Sequence, residues 1–451
     1  MIPSNAARLL HVAMATLMRC AAAVARMMGA TGRTGRAIGR SVAIAMALAG
    51  CESGPRDVRP FAMLVDSLLP ALERISGLEV LAPIRTATQR PEDVADYVDR
   101  RLMQQLPERE IEGIRSVYAM LGLLPDTLDL RALLRELYAE QIAGYYDPET
   151  KTLYVVEGTP AGLRPVLAHE LVHAIQDQHT NLDSLIARTR GNDRQTAAQA
   201  AIEGHATLTM FALLAEESTG QPIDPAAMPD FAAQIRSAFE TQITEFPVFG
   251  RAPRVIRETM LFPYADGAAF VQALWRQRGP DNGPAAPFGS LLPQSTEQVL
   301  DPARFLPEPD APTELRFEAA AEWRAIFENT LGQFETRLFL EEHAGPMPLA
   351  AAGWDGDRYV LLESMAGDRL LVWVSVWDAA TQADSFGRMA SFAMGAPPMA
   401  GRGRVERFPL EGRPAVRILI AEPAVLDASD TPLPEVFCAD EAGVRVPCGM
   451  P

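Results

Sequence analysis

The sequence predicts an α+β protein in which a mostly helical domain with a small β-hairpin precedes a small α+β module. Two observations support this fold class. Apolar residues recur every three to four positions over long stretches before Gly345, which is typical of packed helices. After Gly345 the chain changes to short β-prone runs around one helical run, TQADSFGRMASFAM. We therefore expect the two units to span residues 61–345 and 350–451.

The elements of the first unit follow from local patterns. Residues 61–137 are predicted to be helical, and GYYDPETKTLYVV predicts a hairpin whose turn is Asp147–Thr150. Ser295–Gln298, reading STEQ, has the pattern of a capping box that opens a short helix. Further helices are predicted over 163–178, 196–217, the segment that ends near 278, and 322–343, which reads EWRAIFENTLGQFETRLFLEEH.

The module after Gly345 is predicted from four runs. RYVLLES and DRLLVWVSVWD have the composition of strands, and VERFPLEGRPAVRILIAE predicts a hairpin. The helical run lies between them. This module carries no group with obvious catalytic chemistry.

The first fifty residues have the pattern of an export signal. They contain six arginines and no acidic residue, and they end in the short apolar run SVAIAMALAG. This run is too short to span a bilayer, and basic residues before a short apolar core are typical of a secretory signal. A start at Met27 or Met28 would give a signal of ordinary length. Leu48–Cys51 resembles the lipobox of bacterial lipoproteins, so we expect lipid on Cys51, a tether over 51–60 and a location on the periplasmic side of a membrane.

Charge and cysteine content restrict the function further. The formal net charge is −17 at pH 7, which argues against a nucleic-acid partner because phosphate recognition needs clustered Lys and Arg. If Cys51 carries lipid, Cys438 and Cys448 remain as a pair after signal removal. An oxidising compartment favours a disulfide between them, and two free buried thiols are the alternative.

A histidine cluster between residues 169 and 205 predicts a metal site. His169 and His173 lie four residues apart in the sequence HELVH, so on a helix both imidazoles face one side and can bind one ion. Glu170 lies beside them, where it can reach a water on that ion without binding the ion itself. Two ordinary core or surface histidines are the alternative interpretation.

Zinc needs a third protein ligand, and two residues compete for this role. Glu203 lies on an otherwise apolar helix face, where a carboxylate needs a partner. His179 follows His173 at the spacing found in metzincins, but Gln176 stands where that motif has a glycine turn. We therefore predict Glu203 as the ligand, with His179 as the alternative, and place His205 on the opposite helix face.

Four segments together resemble a known group of proteins: AHELVHAIQDQH, AAIEGHATL, LFPYADGAAFVQALW and STEQVLDP. The group comprises bacterial and archaeal HExxH proteins that are similar to gluzincins, the thermolysin-like zincins whose third ligand is a glutamate on a following helix. The resemblance covers about residues 140–302, with a weaker match at GWDGDRYV. The chain departs from the group at His205, where an acidic residue is more common, and at Asp301, where histidine is more common. Thr207 stands where many gluzincins have Asp or Asn.

The resemblance implies a zincin-like fold, a Zn²⁺ cofactor and hydrolysis of a peptide or protein substrate. Zinc held by the three predicted ligands would activate a water, with Glu170 as general base. A peptide would pair with Leu153–Val156 as an edge strand, and Tyr264 would stabilise the transition state unless it is an ordinary packed tyrosine.

Three other functions stay open at this point. In the first of these functions, the zinc site is structural and the protein is not a hydrolase. In the second, the protein is an envelope binding or assembly factor with a degenerate protease domain and acts through the C-terminal module. In the third, it is an amidase that acts on cell-wall peptides with the same metal chemistry.

Overall fold

The computed structural model describes residues 59–158, 163–188, 191–229, 232–243, 246–318, 322–347, 349, 351–427 and 433–448. The predicted signal, nearly all of the tether and the predicted lipidation site at Cys51 lie outside the described residues.

Helices and strands are both abundant in this part of the chain, which confirms the predicted α+β class. The helices are α1 (Arg59–Ser76), α2 (Pro91–Gln105), α3 (Glu108–Met120), α4 (Leu130–Gln141), α5 (Leu163–His179), α6 (Leu182–Arg188), α7 (Asn192–Thr219), α8 (Ala232–Gln242), α9 (Pro247–Arg251), α10 (Arg254–Arg278), α11 (Thr296–Leu300), α12 (Gly332–Ala344), α13 (Ala380–Gly395) and α14 (Pro423–Leu426). The strands are β1 (Arg85–Gln89), β2 (Gly144–Asp147), β3 (Thr152–Val156), β4 (Leu315–Phe317), β5 (Trp323–Asn329), β6 (Trp354–Ser364), β7 (Arg369–Trp377), β8 (Gly403–Leu410), β9 (Arg413–Ala421) and β10 (Val436–Cys438).

Helices α5 and α7 form the centre of the helical part. Both are buried around most of their circumference, α5 from residue 165 to 177 and α7 from 200 to 213. Helix α7 packs against α10, α5 and α1, so it has no face left for solvent along its middle. Polar side chains on these helices must find their partners inside the protein, because an unpaired buried polar group is costly.

Helices α7 and α10 cross at two glycines. A Cβ added to Gly204 would lie 2.1 Å from the carbonyl carbon of Gly267, and a Cβ added to Gly267 would lie 2.0 Å from the carbonyl oxygen of Ala200. Only residues without a Cβ allow the two backbones to approach this closely. The crossing therefore sets the distance between Glu203 on α7 and Tyr264 on α10.

The first sheet has the order β1–β3–β2, with β1 parallel and β2 antiparallel to β3. The predicted hairpin is present, and its turn is held by the side chain of Asp147, which accepts hydrogen bonds from Thr150 Oγ1 at 2.7 Å and from the Glu149 amide at 3.2 Å. The prediction that residues 61–137 are entirely helical is wrong over β1. The prediction that Leu153–Val156 is an edge strand is also wrong, because β3 has a neighbour on each side.

The second sheet has the order β5–β6–β7–β9–β8, and all its neighbours are antiparallel. Helices α12 and α13 pack against it. The prediction of one helix over 322–343 is wrong, because the chain forms β5, turns at Gly332 with φ of +72°, and only then enters α12. The sheet therefore begins before residue 350, where the second unit was predicted to start.

The C-terminal segment contributes strand β10, which pairs with β4 in a separate two-stranded sheet. A disulfide joins Cys438 in β10 to Cys448, the pair that the sequence predicts. The apolar core is continuous from the central helices to the inner face of the second sheet, where it includes Leu371 and Trp373. Within the described part of the chain, no helix combines the length and the apolar character that a membrane crossing requires.

Candidate metal centre

The three predicted ligands converge at the contact between α5 and α7. Nε2 of His169 and Nε2 of His173 lie 3.0 Å apart, one helical turn from each other. Oε2 of Glu203 lies 3.1 Å from the first nitrogen and 3.2 Å from the second. All three side chains are fully buried. Three atoms that can each donate a lone pair therefore form a nearly equilateral triangle.

The size of this triangle fits a tetrahedral metal ion. Ligand atoms that lie about 2.0–2.1 Å from a tetrahedral zinc are about 3.3 Å from one another. Two imidazoles and one carboxylate suit zinc, and they also suit Fe²⁺ and related ions. Within the described ranges, this trio is the one group of three His, Cys, Asp or Glu side chains whose ligand atoms all lie within 4.8 Å of one another. This donor set could hold a divalent transition metal.

The electrostatics of the trio favour a positive charge. Burial lowers the pKa of His173, but the carboxylates of Glu203 and Glu170 and the hydrogen bonds to Glu203 and Gln176 outweigh it, and the pKa rises to about 9. A bound cation would meet the same attraction that favours the imidazolium, and metal binding would release that proton.

Glu170 points from α5 towards strand β2. Its Oε2 accepts a hydrogen bond of 2.6 Å from the backbone amide of Tyr146. Strand β2, rather than β3, is thus the strand at the edge of the sheet beside the metal ligands. The contact fixes Glu170 next to the trio, close enough for its charge to raise the pKa of His173.

Tyr146 also holds β2 against the last turn of α5 through its side chain. Its hydroxyl donates a hydrogen bond of 2.8 Å to Oδ2 of Asp177, which also pairs with Lys151, the single lysine of the chain. The other carboxylate oxygen of Asp177 accepts from the Leu182 amide at 3.1 Å. One tyrosine therefore ties the strand both to Glu170 and to the buried Asp177 in the last turn of α5.

Tyr264 borders the site from α10. Its ring centroid lies 5.9 Å from that of His169. Burial, with further contributions from the charges of Glu203 and Glu170, raises the pKa of the Tyr264 hydroxyl well above its usual value. The hydroxyl therefore keeps its proton and remains a hydrogen-bond donor throughout the physiological pH range.

Sequence reasoning missed the role of Gln176. Its Oε1 lies 2.8 Å from Nδ1 of His173, and its Nε2 lies 2.8 Å from Nδ1 of His205. The sequence does place Gln176 one turn after His173 on the same face, which was the available signal. The contact with His205 depends on how α5 and α7 pack, so local spacing could not predict it.

His179, the alternative third ligand, does not join the trio. It is exposed at the end of α5, and its Nε2 lies 2.8 Å from the carbonyl oxygen of Glu79. His205, which the sequence places off the ligand face, is indeed outside the trio, since its ring nitrogens contact Gln176 and the carbonyl oxygen of Ser76.

The described side chains of the candidate metal centre have no solvent-exposed surface. The three ligand-type side chains and Glu170 are all fully buried. A cleft of about 800 Å³ opens elsewhere, between the α5–α6 turn and the C-terminal segment around Glu441, and none of these four residues lines it. Within the described part of the chain, these four side chains are therefore shielded from solvent.

Comparison with known proteins concerns the C-terminal part of the chain. A family model described as a domain of unknown function (DUF8575) matches residues 320–416. This range runs from β5 into β9 and includes neither the trio nor Glu170. No curated protein and no solved structure matches the chain.

Proposed function

We propose that this protein is a zinc-dependent peptidase whose metal is held by His169, His173 and Glu203. The observation that carries the proposal is the triangle of Nε2, Nε2 and Oε2 atoms, whose edges of 3.0–3.2 Å are close to those of a tetrahedral zinc site. Three protein ligands leave a fourth position open, which is the arrangement of catalytic rather than structural zinc.

The chemistry of the site follows from the groups around this open position. Zinc, when bound, would supply Lewis-acid polarisation of the scissile carbonyl and would make a water acidic enough to deprotonate near neutral pH. Glu170 would take the proton of the attacking water and pass it to the leaving amine. Tyr264 would donate a hydrogen bond to the oxyanion that develops on the substrate.

Substrate access would involve the contact between Glu170 and Tyr146. The amide of Tyr146 points out of the β2 edge and is occupied by the Glu170 carboxylate. A peptide that paired with β2 would need this amide and would displace the carboxylate from it. Opening of the site, strand pairing and release of the general base would then occur together.

Peptide cleavage by the metal-loaded protein tests the proposal. Full-length protein purified in detergent is incubated with casein, with a peptide library and with cell-wall peptides, before and after removal of the metal with a chelator. We expect cleavage that is lost on chelation and restored by Zn²⁺. Cleavage of cell-wall peptides alone would assign the site to an amidase.

Glu170→Gln provides the sharper variant. We expect it to bind zinc like the wild type and to lose hydrolysis, because a neutral amide cannot accept the proton of the water. Glu149→Gln, an exposed change in the β2–β3 turn, is the matched control and should cleave normally. Retained cleavage by Glu170→Gln would remove Glu170 from the mechanism.

The complete burial of the site favours a second candidate, a non-catalytic envelope lipoprotein with a structural or degenerate metal site. A structural metal site, like the peptidase, predicts metal binding and a higher melting temperature with metal. Only the peptidase predicts cleavage that Glu170→Gln abolishes. Metal binding without cleavage of any of the substrate classes above would favour this second function.

We also propose that the protein is exported and lipid-anchored through Cys51. The disulfide between Cys438 and Cys448 supports an oxidising compartment, and the signal-like first fifty residues support export. Labelling cells with an alkyne fatty acid should tag the wild type and not Cys51→Ser. Equal labelling of both would contradict the anchor.

A further inference from the structure

A continuous line of hydrogen bonds runs from the metal centre to the end of α1. His173 Nδ1 lies 2.8 Å from Oε1 of Gln176, and Nε2 of Gln176 lies 2.8 Å from Nδ1 of His205. Nε2 of Gln176 also donates to the carbonyl oxygen of Ile202 at 3.1 Å. Nε2 of His205 lies 3.0 Å from the carbonyl oxygen of Ser76. The three side chains in the line are fully buried.

The donor and the acceptor in each of these hydrogen bonds follow from the contact at the far end of the line, between His205 and the carbonyl oxygen of Ser76. A backbone carbonyl can only accept, so Nε2 of His205 carries a hydrogen and the Nδ1 of a neutral His205 is an acceptor. The amide of Gln176 must then place its NH₂ group towards His205 and the carbonyl oxygen of Ile202. The opposite amide orientation would put two acceptors against each other at 3.1 Å.

Only the side-chain oxygen of Gln176 then remains to face His173, the proposed metal ligand. Because that oxygen can only accept, Nδ1 of His173 must donate to it. The hydrogen of a neutral His173 is therefore held on Nδ1, and its lone pair lies on Nε2. That nitrogen is the one that faces His169 and Glu203.

We propose that Gln176 and His205 are positioning residues for the metal ligand His173, which fix its tautomer and the direction of its Nε2 lone pair. The inference rests on the proposed metal site and assigns a role to two residues that lie outside the trio. A partner on the remote nitrogen of a ligand histidine typically contributes about 10–100-fold to metal affinity.

Zinc affinity of the metal-free, full-length protein tests this inference. Gln176→Leu keeps the size of the side chain and removes its hydrogen bonds to His173, His205 and the Ile202 carbonyl oxygen, and His205→Leu removes one of the two acceptors that orient the Gln176 amide. We expect each to bind Zn²⁺ about 10–100-fold more weakly than the wild type in competition with a chromophoric chelator. His205→Asn is the conservative variant, because its side-chain oxygen lies near the position of Nδ1, and it should recover most of the affinity.

A second buried glutamine provides the matched control. The side-chain amide of Gln272 on α10, like that of Gln176, donates to two acceptors, which here are the backbone carbonyl oxygens of Pro225 and Met228 at 3.0 and 2.9 Å. Gln272→Leu should lower the melting temperature of the metal-free protein as Gln176→Leu does, and should leave zinc affinity unchanged. The visible spectrum of the Co²⁺-loaded protein should change in Gln176→Leu and not in Gln272→Leu. Only the first variant removes a hydrogen bond to a proposed metal ligand, His173.

The possible results separate the inference from the proposed function. Wild-type zinc affinity and an unchanged Co²⁺ spectrum in Gln176→Leu would overturn the positioning role and leave the metal site in place. Equal losses of zinc affinity in Gln176→Leu and Gln272→Leu would also overturn it, since general destabilisation would then explain both. A wild-type protein that binds neither Zn²⁺ nor Co²⁺ would overturn the proposed function together with the inference.

Discussion

At the scale of single residues, Glu170 and Tyr264 flank the metal ligands from two different elements. Glu170 is adjacent to His169 on α5 and is held by the amide of Tyr146 at 2.6 Å. Tyr264 approaches His169 from α10, with 5.9 Å between the ring centroids. One residue can accept a proton and the other can donate a hydrogen bond, so hydrolysis at this site would use both.

Tyr264→Phe tests the donor role. We expect kcat to fall by about 10²–10³-fold, the usual effect of removing one oxyanion donor, while zinc content stays at the wild-type level. Tyr97→Phe removes the hydroxyl of another buried tyrosine, on α2, and is the matched control with an expected normal kcat. An unchanged kcat in Tyr264→Phe would make this residue an ordinary packed tyrosine.

At the scale of secondary-structure elements, the metal centre depends on how closely α7 approaches α10 and α5. The glycine pair at the α7–α10 crossing allows backbone contact immediately beside Glu203, because Gly204 follows it in the sequence. On its other side, α7 is joined to α5 by the contact of Gln176 with the Ile202 carbonyl oxygen and His205. The position of the third ligand is therefore determined by packing on two faces of one helix.

Gly204→Ala tests the importance of this crossing. Its Cβ would overlap the backbone of Gly267, so we expect α7 to shift, the free energy of unfolding to fall by about 1–3 kcal/mol, and zinc affinity to weaken. Gly395→Ala, at the end of α13, is the control, because a Cβ there meets no heavy atom within 4 Å. Chemical denaturation and zinc titration measure both effects. Equal behaviour of the two variants would contradict the account of the crossing.

The sequence predicted the elements whose signal is local. The HELVH helix, the long helix of Glu203 and the two hairpins all follow from residue spacing within one segment, and the structure contains each of them. Strand β1 was missed because its pairing with β3 joins Arg85 to Thr152, and short polar strands have little periodicity of their own. Strand β5 was missed because WRAIFEN has apolar spacing that also suits a helix.

The candidate site was predictable only in part for the same reason. Helical spacing predicted that His169 and His173 would share a site, and the otherwise apolar face around Glu203 predicted the third member of the trio. The burial of the site, the contact of Glu170 with β2 and the line from His173 to Ser76 arise where separate elements meet, and single-segment patterns carry no information about such contacts.

At the scale of the whole molecule, buried carboxylates link the helical part to the second sheet. Asp193 at the start of α7 accepts from the Thr296 amide at 2.9 Å, and Glu335 on α12 accepts from Asn192 Nδ2 at 2.9 Å. Asp357 on β6 accepts from the amide of Gly332 at 2.8 Å. Burial raises the pKa of Asp193 to about 7, that of Glu335 to about 8 and that of Asp357 to about 6.

These shifts predict that stability decreases as the pH rises. The folded protein holds these protons more tightly than the unfolded chain, in which the pKa of a carboxyl is about 4. The stabilisation is therefore complete below about pH 4 and is lost as the pH rises through about 8, the folded pKa of Glu335. Acidic groups with lowered pKa values act in the opposite direction, so the effect is best isolated by a variant.

Glu335→Gln is that variant, because its amide is neutral at every pH and its oxygen can still accept from Asn192. We expect its melting temperature to fall less than that of the wild type between about pH 6 and about pH 9. Glu342→Gln, an exposed change on the same helix, is the control and should follow the wild-type profile. Parallel profiles for all three proteins would show that Glu335 is not linked to stability in this pH range.

Metal content of the full-length protein and two variants tests the central claim most directly. Elemental analysis after metal loading and gel filtration should find one zinc per chain in the wild type and in His179→Ala, and none in Glu203→Ala, because Glu203 completes the buried trio while His179 contacts the Glu79 carbonyl oxygen. A wild type without metal would contradict the account, and so would zinc retained by Glu203→Ala and lost from His179→Ala.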